Sequence, residues 1–524
     1  MSLSDSPFVN RLNTNYVPSE SEILQIRALL VDPMDELARV DSQIEVLEIT
    51  LGQLKERRAV LQEPIDAHRA LISPMRLIPH DVLLEIFFAC LPTKHNALID
   101  HNEAPLLLGC ICRHWRDVTY STPMLWSSIH IPFLHYLSTP SNILLGLEKI
   151  VAGWLARSAT CPPSVSLFDF ANRVESNPTL KDHPIVLQLL AVSHRLHRLG
   201  LAGDAEFLRP LLRLGPEDVP LLKRVQVETM AYQMVPSMNI LRAPTLEDVK
   251  LASALGDPLS LPLQWSQLTS LRLQCYECRD GVSFGGGLDF DGALDVLRKC
   301  PNLEQCEIEV TKSSAHLGLT RDLPPIILPR LHNLLLGGWH FLLENWSYDL
   351  VAPNLRFIQI GQDNIIPSGL NCLRADIDPI RFTLTGLHEF LQSFPMISHL
   401  RLTSAQPPPD FLDDEFIGLL CSPHNLCPML TDINLWSESS SRRSPYMRSV
   451  RFSDAAVLAF IKARMAMPIP LRRFRVQFAR PMVLDIMPEL QSFISDGLQI
   501  TLEYPPQSKF MAQDGLAGPR SMVY

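Results

Sequence analysis

Cys275 and Cys278 are the pair in this chain whose type and spacing come nearest to metal chemistry. A C-x-x-C knuckle supplies half of a tetrahedral zinc site, which closes only when a second pair follows at the right distance. No second pair follows, so the two read as structural thiols. Cys110, Cys112 and His114 are equally close, but helical spacing spreads them over different faces of an apolar helix, where core packing accounts for them. His194 and His197 have i, i+3 spacing, yet Leu196 and Leu199 place them beside a strand. The run Gly285-Gly286-Gly287 lacks the Gly-Lys-Ser/Thr ending of a phosphate loop and reads as a flexible insertion. The sequence holds neither a G-x-S-x-G elbow nor an H-E-x-x-H pair. A Ser-rich basic stretch, residues 437–453, reads as a solvated loop; a phosphate at Ser444-Pro445 would pair there with Arg442 and Arg443. The expectation is therefore no catalytic residue, no metal and no cofactor.

The chemistry that remains is docking. In IPHDVLLEIFFACLP, Pro79 suits a first helical turn and Asp81 favours the positive helix N-terminus. Val82, Leu83, Ile86, Phe87, Cys90 and Leu91 then form one wide apolar stripe, and Pro92 stops the helix. Downstream, Leu108, Ile111, Trp115 and Val118 have the 3-4-3 spacing of a second amphipathic helix. A segment of about 45 residues has little core of its own and needs a neighbour or a partner.

The order Ile-Pro, Leu-x-x-Ile-Phe, Leu-Pro, Cys-x-x-Trp-Arg and Leu-Trp over residues 78–126 resembles an F-box. That resemblance implies docking onto a Skp-type adaptor through Pro79, Val82, Leu83, Ile86, Phe87, Leu91 and Pro92. It gives Ile111, Trp115 and Trp126 a structural role. One departure is the spacer Thr93–Ala104, longer than the few residues common between the two F-box helices; extra loop length costs little in itself. The same residues also fit two ordinary core helices of a larger helical domain.

Ahead of this segment, Leu37, Ile44 and Leu51 share one heptad position, with Arg58 next in the series. Val40, Leu47, Leu54 and Leu61 share the position three residues later. Four heptads meet the usual threshold for a coiled coil, and Arg58 and Pro64 limit its length. Such a helix packs back on its own chain, forms a homodimer or takes a different partner. Followed by an F-box-like segment and by GWLARSATCPPSVSLF, it resembles the F-box-like families of mushroom-forming fungi over residues 34–170.

Beyond residue 160 an L-x-x-L-x-L unit recurs ten times, first at Leu196-Leu199-Leu201 and last at Leu471-Phe474-Val476. Pro often stands just before it, as in APTLEDVKL and CPNLEQCEI. Gaps of 22, 24, 24, 26 and 28 residues match leucine-rich repeats, whereas gaps of 33, 35, 41 and 42 call for insertions or a cryptic repeat. Each unit makes a short strand, and FDGALDVLRKC and GLHEFLQSF read as covering helices. The Asn that follows the strand in regular repeats is mostly absent. A conventional α/β domain with Leu-rich strands is the alternative.

Composition bounds the rest. A net charge of −10 argues against broad nucleic-acid binding. Eleven scattered cysteines fit reduced thiols, and the lack of a signal pattern and of any 18-residue apolar run points to a cytoplasmic or nuclear protein without a membrane span.

The expected fold is thus an α-helical N-terminal part followed by an irregular α/β leucine-rich-repeat solenoid. Its parts are a mostly disordered tail (1–33), a coiled-coil-like helix (34–73), an F-box-like domain (74–130), a connector capping the repeats (131–195), the repeats (196–504) and a second disordered tail (505–524). The resemblance implies a substrate-recognition subunit of a Skp–cullin–F-box ubiquitin ligase. Its expected partners are the adaptor, through it a cullin–RING ligase, and a protein target. The alternative is an adaptor-independent scaffold that homodimerises through residues 34–62. A third reading, an enzyme hidden in the repeats, needs a pocket with perturbed ionisable groups.

Overall fold

A computed structural model describes residues 6–72, 74–132, 139–168, 183–229, 237–253, 257–275, 287–312, 324–338, 343, 350–361, 373–403, 409–435, 451–478 and 480–504. The chain divides into two units, residues 1–89 and residues 90–524.

The first unit holds α1 (Glu20–Leu71) and α2 (His80–Ala89). The 52-residue α1 begins before Met34 because Ser19 and Glu22 close a capping box there, with the Ser19 N–H donating to the Glu22 carboxylate at 2.8 Å. Backbone and side-chain hydrogen bonds from Ser19, joined by Tyr16 and Arg11, pull the Glu22 pKa down to about 2. Residues 20–33 are therefore helix, not tail. Nor does Pro64 limit the helix: it and Pro33 both lie inside. Each proline removes one i→i−4 bond, a loss that a helix of this length carries because propagation is cheap once nucleated. In α2, Pro79 stands just outside the helix and its carbonyl accepts the Leu83 N–H at 3.0 Å.

The second unit opens with α3 (Leu106–Ile111) and α4 (Arg113–Ser121). The single helix expected over Leu108–Val118 is broken at Cys112, which is extended (φ −157°, ψ 170°). Its Sγ accepts the Trp115 N–H, so the residue read as core packing caps α4 instead.

The helices that follow are α5 (Ser141–Arg157), α6 (Pro184–Ala191), α7 (Ala205–Leu212), α8 (Phe290–Lys299), α9 (Leu384–Ser393), α10 (Asp414–Leu419), α11 (Asp454–Met465) and α12 (Met487–Ser495). The strands are β1 (Ser128–Pro132), β2 (Ser164–Phe168), β3 (Arg198–Gly203), β4 (Arg224–Thr229), β5 (Asp248–Ser253), β6 (Ser270–Cys275), β7 (Gln305–Glu309) and β8 (Ile326–Ile327). After them come β9 (Asn333–Gly337), β10 (Leu350–Val351), β11 (Phe357–Ile360), β12 (Leu373–Ile377), β13 (Ile397–Leu402), β14 (Asp432–Leu435), β15 (Arg473–Gln477) and β16 (Gln499–Glu503). Among the described residues, all strands except β8 and β10, which pair with each other, form one open parallel sheet of 14 strands in sequence order.

The sheet grows from a local rule. The i, i+2 alternation sends Leu199 and Leu201, Val225 and Val227, Leu271 and Leu273 to one buried face. In six of the units the leading Leu closes a proline-bearing turn one step earlier. Leu222, Leu246, Leu303, Leu331, Leu355 and Leu430 each donate an N–H to the carbonyl three residues back. In all six turns proline occupies the second position, where its fixed φ suits the bend. All ten predicted units are strands, and β12 is the cryptic one inside the 42-residue gap. The covering helices expected over residues 290–300 and 386–394 are α8 and α9, the second beginning two residues earlier at Leu384. Among the described residues the shortest gaps hold 3-10 turns, such as Asn239–Arg242 and Trp265–Gln267. The sheet also begins earlier than residue 196, since β1 and β2 belong to it.

Asp454 ties the far end of the sheet. It is buried and accepts hydrogen bonds from Arg480, from the N–H groups of Val483 and Leu484, and from the Tyr504 hydroxyl. Burial alone would raise its pKa, but these donors outweigh burial and hold it well below the ordinary carboxylate range. A depressed folded-state pKa contributes stability above the unfolded value of about 3.9 and loses it as pH falls toward the folded value. Asp454→Asn should therefore lower the denaturant midpoint at pH 7, and its deficit against wild type should shrink below about pH 3. A deficit independent of pH would contradict this account.

Candidate protein-interaction site

Helical geometry places Val82 and Ile86 on one face of α2, with Pro79 just ahead of its first turn, and Leu83 and Phe87 on the next. Leu83 and Phe87 are buried (1% and 0% exposed), whereas Val82 is 46% exposed, Pro79 is exposed and Ile86 is half-buried. The stripe expected to dock as a whole is thus divided: two of its residues are already enclosed by the folded chain, and the open apolar face is that of Val82. In the second unit Leu91 and Pro92 are half-buried and Cys90 is exposed. The helix ends at Ala89, ahead of all three.

Trp126 is the organiser among the residues given a structural role. It is buried, donates its indole N–H to the Thr119 carbonyl at 2.8 Å, and meets Trp154 edge-on at 4.8 Å. The Arg157 guanidinium lies over both the Trp126 and Tyr120 rings. Trp115 is half-buried, and Ile111 is 55% exposed, so Ile111 does not serve the core. The helix break at Cys112 explains this, because it cancels the 3-4-3 register that would have turned Ile111 inward.

The long spacer is anchored against the sheet. Asn96 Nδ2 donates to Ser166 Oγ (3.1 Å), and Ser128 Oγ and Ser164 Oγ donate to Asn96 Oδ1 (3.0 Å each). The His130 N–H donates to the Ala97 carbonyl at 2.8 Å, and Ala97 is fully buried. The extra residues thereby cover the β1 edge, which would otherwise offer unpaired backbone groups. Sequence reasoning missed this; the available signal was a polar Asn followed by Ala-Leu in an otherwise solvated stretch.

All seven seam residues of α1 (Leu37, Val40, Ile44, Leu47, Leu51, Leu54 and Leu61) are exposed, from 41% at Val40 to 66% at Leu47. Ile23, Leu30 and Ile65 continue the same heptad position and are exposed as well.

Among the described residues the chemistry-bearing residues read from the sequence do not assemble. Cys110, Cys112 and His114 are all exposed, which corrects their assignment to core packing. No group of three or more potential metal ligands occurs among the described residues. Burial pushes the Cys300 and Cys427 thiols up to about 12, leaving them unreactive. Cys278, Gly285, Gly286, the Ser444-Pro445 site with Arg442 and Arg443, and the tail 505–524 lie outside the described residues. Among the described residues no helix is long and apolar enough to cross a membrane. Compared with known proteins, the chain matches no family model and no curated protein.

Proposed function

We propose that this chain is the substrate-recognition subunit of a Skp–cullin–F-box ubiquitin ligase. In this reading the segment 78–126 docks on the adaptor, an irregular leucine-rich-repeat solenoid receives the target, and the chain performs no bond chemistry itself. The observation that carries it is α2. A ten-residue helix with Leu83 and Phe87 enclosed keeps Val82 and Pro79 open to solvent, as a docking helix must. The sequential parallel order of the strands supports the solenoid part. Co-expression with a Skp-type adaptor and a cullin tests the reading. A stoichiometric complex is expected, and failure of the intact chain to retain the adaptor would overturn it.

The exposed seam favours a second reading, a homodimer through α1. Residues 20–48 hold eight acidic and two basic residues, whereas residues 49–71 hold four basic and three acidic. An antiparallel pair sets the acidic half against the basic one. A parallel pair sets acid against acid and Arg58 against its own copy. Light scattering of the 59.0 kDa chain should give twice that mass. Leu47→Asp with Leu54→Asp should weaken the dimer by at least about a hundredfold, since burying each Leu is worth about 2 kcal/mol. A monomeric wild type would eliminate this reading without touching the first.

A further inference from the structure

The two edges of the sheet are finished differently. At one end the spacer lies along β1, where the His130 N–H donates to the Ala97 carbonyl at 2.8 Å. At the other end β16 is the last strand, and among the described residues nothing pairs with its outer side. The Gln499 N–H donates to the Arg472 carbonyl, and the Glu503 carbonyl accepts from the Phe478 N–H. Residues 499, 501 and 503 therefore turn their backbone groups toward β15. Strand alternation then points the N–H and carbonyl of Ile500 and Leu502 away from the sheet.

The side chains are unfinished in the same way. Inside the sheet Leu199 and Leu201 are at most 1% exposed, whereas the corresponding Ile500 and Leu502 are only half-buried. At the C-terminal end of β16, Met482, Val483 and Leu484 are exposed, on a loop that shares Asp454 with the Tyr504 hydroxyl. A stacked repeat buries its apolar surface only against a neighbour, and an open strand edge is a template for another chain.

We propose that β16 is a self-association edge, pairing antiparallel with β16 of a second copy of this chain about a twofold axis at Thr501. The covered β1 edge closes head-to-tail stacking, so the edge that a second copy can offer is its own β16. The strand is complementary to itself in this arrangement. Ile500 of one copy faces Leu502 of the other, and the two exchange both main-chain bonds, twice over by symmetry. On the polar side Thr501 faces its own copy, and Gln499 faces Glu503, an amide donor against a carboxylate. Arg473 Nε already holds Gln499 Oε1 at 3.1 Å, which leaves the amide nitrogen to donate. No like charges stand opposite each other along the strand. Moving the axis to Ile500 or Leu502 leaves two residues of each strand beyond the end of the other. This contact uses neither α1 nor the segment 78–126, and it stands apart from both readings above.

The test uses the full chain carrying Leu47→Asp and Leu54→Asp, which removes pairing through α1. Light scattering over a concentration series should climb from 59.0 kDa toward twice that mass. Residue-level hydrogen exchange should slow at the Ile500 and Leu502 amides as concentration rises. The Gln499 and Thr501 amides, already bonded to β15, should not change. Gln499→Glu sets two carboxylates opposite each other on both sides of the axis and should weaken self-association about tenfold. The new carboxylate still accepts from Arg473, so the fold is kept. Adding Glu503→Gln exchanges the two partners and should restore the association. A chain that stays monomeric throughout would overturn the proposal and leave the edge to residues after Tyr504 or to an unrelated extended segment. So would a rise in mass without protection at Ile500 and Leu502, or one that Gln499→Glu leaves untouched.

Discussion

Val82→Asp should leave the chain folded and weaken its complex with a Skp-type adaptor by at least about a hundredfold, roughly 3 kcal/mol. Leu83→Asp, one residue away, should damage both fold and complex. The difference follows from burial. Val82 is 46% exposed, so a carboxylate there stays in water until an adaptor covers it, and then it is desolvated without a partner. Leu83 is 1% exposed, so the same carboxylate is desolvated in the free chain, at a cost of several kcal/mol. Circular dichroism and a denaturant melt separate the two effects before any pull-down is read. If Val82→Asp retained the adaptor with wild-type affinity, the open face of α2 would not be the docking surface.

The second large effect is expected at Arg464, which is fully buried in α11. Its guanidinium donates to the carbonyls of Leu420 (3.4 Å), Cys427 (3.2 Å) and Leu430 (2.7 Å), and burial lowers its pKa. These carbonyls belong to a segment whose backbone turns through positive φ at Asn425 and Cys427, where the chain bends too sharply to satisfy them by itself. Arg464→Ala removes three bonds, orphans buried acceptors and opens a cavity, for a loss on the order of 4 kcal/mol. Because a unit of this size need not unfold in one step, hydrogen exchange at residues 420–430 is the better readout. Exchange there should accelerate strongly while β3 to β7 stay protected. Unchanged protection at Leu426–Leu430 would show that the arginine is a passenger.

Different parts of this molecule were legible to different degrees. The ten repeat units were readable because strand alternation and a preceding turn, proline-bearing in most of them, act within six or seven residues. β1 and β2 were not: the proline-bearing turn closed by Leu125 stands four residues before Ile129 instead of three, and Val165-Leu167 has no leading Leu. The long N-terminal helix was readable from its heptads, but its start at Ser19 depends on a capping box that the heptads do not contain, and Pro64 was given more weight than it carries.

Local pattern by itself determined that this chain makes a long apolar-seamed helix, short apolar helices over residues 78–126 and a series of parallel-pairing strands. Tertiary structure alone decided that Leu83 is enclosed while Val82 is open, that Ile111 faces out, and that the spacer folds onto β1. It also decided that β16 is left as the open edge among the described residues. Periodicity specifies which residues share a face. Which face is covered, and which charges meet, depends on contacts between residues as far apart as Asn96 and Ser166, and no local pattern encodes those.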